Sequence, residues 1–192
     1  MSVIFSLNPA RGSRIINTVV LLGISILLYV AFAWQLLFDA APCPLCLLQR
    51  AAFVMAGVGL LLNIRLGPSP LHYAMVIAAS LGGLVAAGNQ LLAQSSAGEP
   101  PSGPPLFGLS IHSWAFLAFC ALLAFCVLML AADRKWGDNA LKKPVALPAL
   151  IVMGLFLLAI LVNVAATSLE CGLGECEGTP LAPAAAPAGS GS

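Results

Sequence analysis

IINTVVLLGISILLYVAFAWQLLF, from Ile15 to Phe38, runs for 24 residues without a charge. About 20 apolar residues in a helix cover the roughly 30 Å of bilayer hydrocarbon, so this stretch reads as a membrane span. Arg11 and Arg14 precede it, as basic residues also precede a secretory signal peptide. The apolar core of such a peptide is only about 7–15 residues, and here further spans follow, so an uncleaved first helix is expected. The rest of the chain has the same character. Of 192 residues, 60% are hydrophobic and 8% charged, against about 25% charged in soluble domains. A formal net charge of +1 points to no nucleic-acid partner. The partner of most of this surface is the lipid bilayer.

Four more spans follow. The second runs from Leu45 to Ile64 and closes at Arg65; Arg65-Leu66-Gly67-Pro68-Ser69-Pro70 reads as a tight turn. Leu71 to Leu92 is the third, and the Ser/Gly/Pro-rich stretch Ser95 to Gly108 is expected to be an irregular loop. Ile111 to Ala132 is the fourth; it opens with His112 and Trp114, the latter an interface anchor. A charged segment, Asp133 to Lys143, leads to the fifth span, Pro148 to Thr167. The Pro/Ala/Gly/Ser stretch Gly178 to Ser192 has nothing to bury and is expected to be disordered. The predicted fold class is therefore an all-α polytopic membrane protein. A four-helix transmembrane bundle occupies residues 15–132, between a lead (1–14) and a loop (133–147). A fifth transmembrane helix (148–169) and a tail (170–192) follow.

Basic residues set the orientation. With five spans and the N-terminus in the cytoplasm, Arg11, Arg14, Arg65, Arg134, Lys135, Lys142 and Lys143 are all cytoplasmic. Asp39, Glu99, Glu170, Glu175 and Glu177 fall outside, as does the C-terminus. The eighth basic residue, Arg50, breaks the rule. An arginine at the centre of a bilayer costs about 2.5–3.5 kcal/mol, which marks Arg50 as a residue with a task.

Arg50 ends the stretch Pro42-Cys43-Pro44-Leu45-Cys46-Leu47-Leu48-Gln49-Arg50. Two thiols at this spacing on the first turn of a helix close a disulfide with little backbone movement. Free amides at a helix start favour a thiolate, and Arg50 sits one turn beyond Cys46 on the same face. Such a pair is also half of a zinc site, but zinc needs four ligands and the other polar candidates are scattered. Redox work is the stronger reading, with no metal expected. Cys171-Gly172-Leu173-Gly174-Glu175-Cys176 follows the fifth span on the same outer side, where disulfides persist. Its glycines make a loop that closes readily; an exchangeable disulfide fits better than a clip on a free tail. Cys120 and Cys126 are about 9 Å apart along one helix, beyond disulfide reach, and read as apolar packing.

Cys-Pro-Leu-Cys-Leu-Leu-Gln-Arg at an outer helix start resembles the quinone-reducing disulfide bond formation protein B (DsbB) family of bacterial inner membranes. Pro105-Leu106-Phe107-Gly108-Leu109-Ser110 before Trp114 is similar to that family's lead into its fourth helix. The likeness covers roughly residues 10–132. It implies a four-helix bundle, a redox disulfide Cys43–Cys46, and a quinone (ubiquinone or menaquinone) held near Cys46 and Arg50, with Gln49 beside them. Two features depart from the family. Its second cysteine pair usually lies between helices three and four, where this chain has none. Its Arg-His or Glu-His near the end of helix three is Asn89-Gln90 here, so Gln90 is left as the hydrogen-bond donor toward the quinone. The fifth helix resolves the first departure, because it returns Cys171 and Cys176 to the outer face.

The expected function is a quinone-dependent thiol-disulfide oxidoreductase. A periplasmic thioredoxin-fold oxidase, similar to DsbA, would reduce Cys171–Cys176. Cys43–Cys46 would reoxidise that pair, and the membrane quinone pool would take the electrons from Cys46, whose thiolate Arg50 would stabilise. A vitamin K epoxide reductase-like quinone reductase is the near alternative, disfavoured by the Gln-Arg after the motif and the short first loop. A non-enzymatic membrane protein binding or carrying metal through the CxxC is the distant one. His72 and His112, its remaining candidate ligands, stand at span ends.

Overall fold

The computed structural model describes residues 9–38, 43–97, 107–133 and 145–171. These form five helices: α1 (Pro9–Phe38), α2 (Pro44–Leu66), α3 (Pro70–Ala97), α4 (Ile111–Asp133) and α5 (Leu147–Cys171). Each is long and apolar enough to cross a membrane, and the chain is a polytopic all-α membrane protein. The first three helices open on a proline, whose fixed φ and missing N–H cost nothing at the first helical position.

Three helices exceed their expected spans by four residues or more, α5 among them, running to Cys171 rather than Thr167. α1 starts at Pro9 rather than Ile15, and α3 runs to Ala97, which shortens the loop predicted from Ser95. Hydropathy marks where hydrocarbon ends, whereas a helix continues as long as its backbone amides find carbonyls. The rest of that loop up to residue 106, the charged segment 134–144 and the tail 172–192 lie outside the described residues.

α2 is the hub. It packs against α1 and α3 and touches α5; α3 carries α4 on its other side, while α1 and α4 make little direct contact. A buried polar network pins the Arg65 end of α1, α2 and α3. Asn63 donates to the Asn17 Oδ1 (3.2 Å), and Asn17 donates to the Tyr73 hydroxyl (3.1 Å). The Asn63 Oδ1 accepts from the Ser69 amide (3.2 Å) and meets His72 Nδ1 at 3.1 Å. Bilayer hydrocarbon supplies no water to such groups, so they satisfy one another. Gly67, at φ 100°, lets the chain turn directly into α3.

α5 docks on α1 in parallel. The Tyr29 side chain, which leans toward the start of its helix, donates to the Leu155 carbonyl at 2.9 Å. Asn163, about two turns further along α5, reaches the Leu28 carbonyl at 3.5 Å. α5 therefore ends at the same end of the bundle as α1, the end that carries Cys43. Fully buried Phe156 lies over Gly57 of α2, where a Cβ would strike its ring.

Gly83 of α3 meets Phe119 of α4 in the same way. Phe119 is fully buried and stacks on Phe53 with centroids 4.1 Å apart. Gly83→Ala is expected to destabilise the protein by about 1–3 kcal/mol, the usual range for overpacking a filled core. A thermal melt in detergent that matches wild type would show that Phe119 has room to shift.

Candidate functional site

Cys43 caps α2 and Cys46 lies in its first turn; the two form a disulfide with Cα atoms 5.1 Å apart. The Cys43 Sγ accepts the backbone N–H of Cys46 at 3.1 Å, so one sulfur already occupies the helix's amide terminus.

Side chains from α2, α3 and α4 converge on this disulfide. Gln90 of α3 places its Nε2 3.2 Å from the Cys43 Sγ and 3.5 Å from the Cys46 Sγ. Its Oε1 accepts from the Nε2 of buried Gln49 at 2.8 Å. Its Nε2 also lies 3.1 Å from Nε2 of buried His112, in the first turn of α4. The sequence expectation left no histidine near the site from helix three; the structure supplies one from helix four instead. Its signal was available: His112 is one of two histidines in the chain and opens a span.

Arg50 points the other way, toward α1. It donates through Nη1 to the Gln35 Oε1 (2.5 Å) and through Nη2 to the Ala31 carbonyl (3.0 Å). Gln35 is itself buried. The guanidinium thus spans from α2 to α1, a bridge that Arg50's sequence position did not disclose.

Because α1 and α4 stay apart, a cleft of about 330 Å³ remains between them with α2 as its floor. Trp34 and Gln35 line it from α1, Phe53 from α2, and His112 and Trp114 from α4. Cys43, Cys46, Gln49 and Arg50 border it as well. Exposed Phe107 stands at its rim at φ 52°, a left-handed conformation uncommon outside glycine. The volume lies within the usual range for small-molecule sites, as does the pattern of apolar walls with a few convergent polar groups.

The remaining cysteines fall elsewhere. Cys171 is the last residue of α5, and Cys176 lies outside the described residues. Cys126 is buried in the core, as a packing residue would be. Cys120 is not: it is exposed on the outside of the bundle, because helical rotation between positions 120 and 126 turns the two to different faces.

A multi-pass helical bundle with a CxxC disulfide beside an apolar cleft defines a membrane thiol-disulfide protein. Comparison with known proteins gives the family. Residues 13–103 match the family model of disulfide bond formation protein DsbB. The chain is 34% identical over 159 residues to disulfide bond formation protein B of Marinobacter nauticus, covering 76% of this chain and 92% of that protein. It is 28% identical over 163 residues to disulfide bond formation protein B 1 of Pseudomonas entomophila, covering 67% and 97%. No solved structure matches. The chain belongs to the DsbB family and is a membrane protein of disulfide bond formation.

Proposed function

We propose that the protein reoxidises a periplasmic thioredoxin-like, DsbA-like disulfide donor at the inner membrane and passes the two electrons to a membrane quinone, ubiquinone or menaquinone. The observation that carries this reading is the cleft, which joins the Cys43–Cys46 disulfide to Arg50 and aromatic walls in one cavity. A quinone, when bound, accepts two electrons and two protons. The residues present fit it. Trp34, Phe53 and Trp114 offer apolar aromatic walls to a flat ring. Arg50, held on α1 by Gln35 and Ala31, supplies fixed positive charge for a developing oxyanion, which is worth most in a water-poor site. Cys43–Cys46 holds the electron pair between partner and acceptor.

The proposed relay starts at Cys171–Cys176. It takes electrons from the soluble partner and hands them to Cys43–Cys46 by thiolate exchange. The parallel docking of α5 on α1 supports this, because it brings the end of α5 to the Cys43 end of the bundle.

The test is anaerobic mixing of dithiol-reduced protein with a soluble quinone. About two quinols per chain are expected, one for each of the Cys43–Cys46 and Cys171–Cys176 pairs, since each disulfide closes with the release of two electrons. Cys46→Ser protein should form none. Wild-type protein that forms no quinol while its thiols stay reduced would overturn the reading.

A further inference from the structure

We infer that the seat of Phe156 over Gly57 is a register lock: it brings the last residue of α5 level with Cys43 and onto the side of α5 that meets α2. Phe156 and Gly57 are thereby positioning residues for the exchange between the two cysteine pairs. The inference deepens the proposed relay and rests on it.

The lock begins with a missing side chain. Gly57 is buried on α2, and a Cβ there would strike the Phe156 ring. One turn away in either direction α2 carries Phe53 and Leu61, so a Phe156 slid by one turn would meet a filled position instead of a notch. Forcing a ring into an occupied core position displaces its neighbours and is destabilising. Two hydrogen bonds hold α5 to its other neighbour, α1. Tyr29 donates to the Leu155 carbonyl at 2.9 Å, and Asn163 reaches the Leu28 carbonyl at 3.5 Å. Hydrocarbon offers these donors no water in exchange. A helix seated on α2 and bonded twice to α1 is fixed in height and in rotation.

From this contact both helices run to the same end of the bundle, α2 against its chain direction and α5 along it. Gly57 back to Cys43 is 14 residues, about 21 Å of helix. Phe156 forward to Cys171 is 15 residues, about 22 Å. At about 100° per residue, Cys43 lies within about 40° of Gly57 around α2, and Cys171 within about 60° of Phe156 around α5. The two positions therefore share a height and stand on the contacting sides of their helices. Neighbouring axes are about 8–10 Å apart, a gap that the stretch Cys171 to Cys176 spans when extended. In the exchange a tail thiolate bonds to the Cys43 sulfur, the Cys43–Cys46 bond breaks, and Cys46 leaves with the electron pair. The second tail thiol then displaces Cys43, which closes Cys171–Cys176 and leaves Cys43 and Cys46 reduced.

The experiment uses the full chain in detergent with Cys46→Ser and Cys176→Ser, equilibrated with reduced and oxidised glutathione. Closing Cys43–Cys171 forms one disulfide as one oxidised glutathione becomes two thiols, so the joined fraction, read by peptide mass, gives an effective concentration. Two alanines inserted after Thr167 turn the end of α5 by about 200° and leave every docking contact in place; four turn it by about 40° and lift it about 6 Å. The effective concentration should fall about tenfold with two alanines and return to within about threefold of the starting value with four. Phe156→Ala should lower it about tenfold as the lock opens. Equal joined fractions with none, two and four alanines overturn the inference, because a tail that reaches freely has no period. A Phe156→Ala chain that melts lower but joins as before overturns it too, since the contact is then packing alone. The insertions keep the test decisive where Phe156→Ala fails to fold. A flat response alongside a wild type that forms quinol sinks only this inference. The periodic response alongside a wild type that forms none sinks only the quinone reading.

Discussion

A chain ending at Thr167 is expected to lose oxidation of the proposed thioredoxin-like partner by at least about a hundredfold, since exchange needs a thiolate and a disulfide in bonding reach. The same truncated chain should still form quinol when a small dithiol reduces Cys43–Cys46 directly. The cut spares what docks α5. Tyr29 keeps its bond to Leu155, Asn163 keeps Leu28, and Phe156 keeps its seat over Gly57. Thr167 itself still bonds back to the Asn163 carbonyl at 2.9 Å. Only the last turn of α5 and the segment bearing Cys176 are removed, so a loss of partner oxidation belongs to the cysteine pair and not to a collapsed bundle. Reduced partner is followed by thiol titration, and quinol by its absorbance. Full-rate oxidation of the partner by the truncated chain would make Cys171–Cys176 dispensable and leave Cys43–Cys46 to meet the partner directly.

Arg50→Ala is expected to raise the quinone KM at least about tenfold, equivalent to about 1.4 kcal/mol of lost binding. Arg50 does two jobs that this variant separates. Its bonds to Gln35 and Ala31 tie α2 to α1, and its charge borders the cleft. A strut alone predicts a lower melting temperature with KM unchanged; a charge serving the ligand predicts the KM effect. Lysine should restore little, because a single ammonium lacks the fork of donors that reaches the Gln35 side chain and the Ala31 carbonyl together. An unchanged KM in Arg50→Ala, with a lower melting temperature, would assign Arg50 to the strut.

The five spans were legible along the chain because lipid imposes a local rule. Each crossing needs its own run of about 20 apolar residues, whatever the other helices do. Cys43–Cys46 was legible for the same kind of reason, its partners being three positions apart on one helix start. Gln49 and Arg50 could be singled out as polar residues in an apolar segment, but not what they touch. Arg50 was expected to serve the Cys46 sulfur; its bonds to Gln35 and to the Ala31 carbonyl on α1 were not foreseen.

What only the tertiary structure decided is how the helices are turned toward one another. Gln90 meets Gln49 across 41 positions and His112 across 22. No period along the chain records such a meeting, because it depends on the rotation of α3 against α2 and α4. That rotation is set by close approaches at Gly83 and Phe119 and by the Asn17–Asn63–Tyr73 network at the far end. The cleft is likewise a property of a gap: α1 and α4 fail to pack, and no residue of either announces it. Hydropathy is summed along one helix and reads out one residue at a time, whereas contact between helices is a matter of relative rotation and spacing, which the linear chain does not carry.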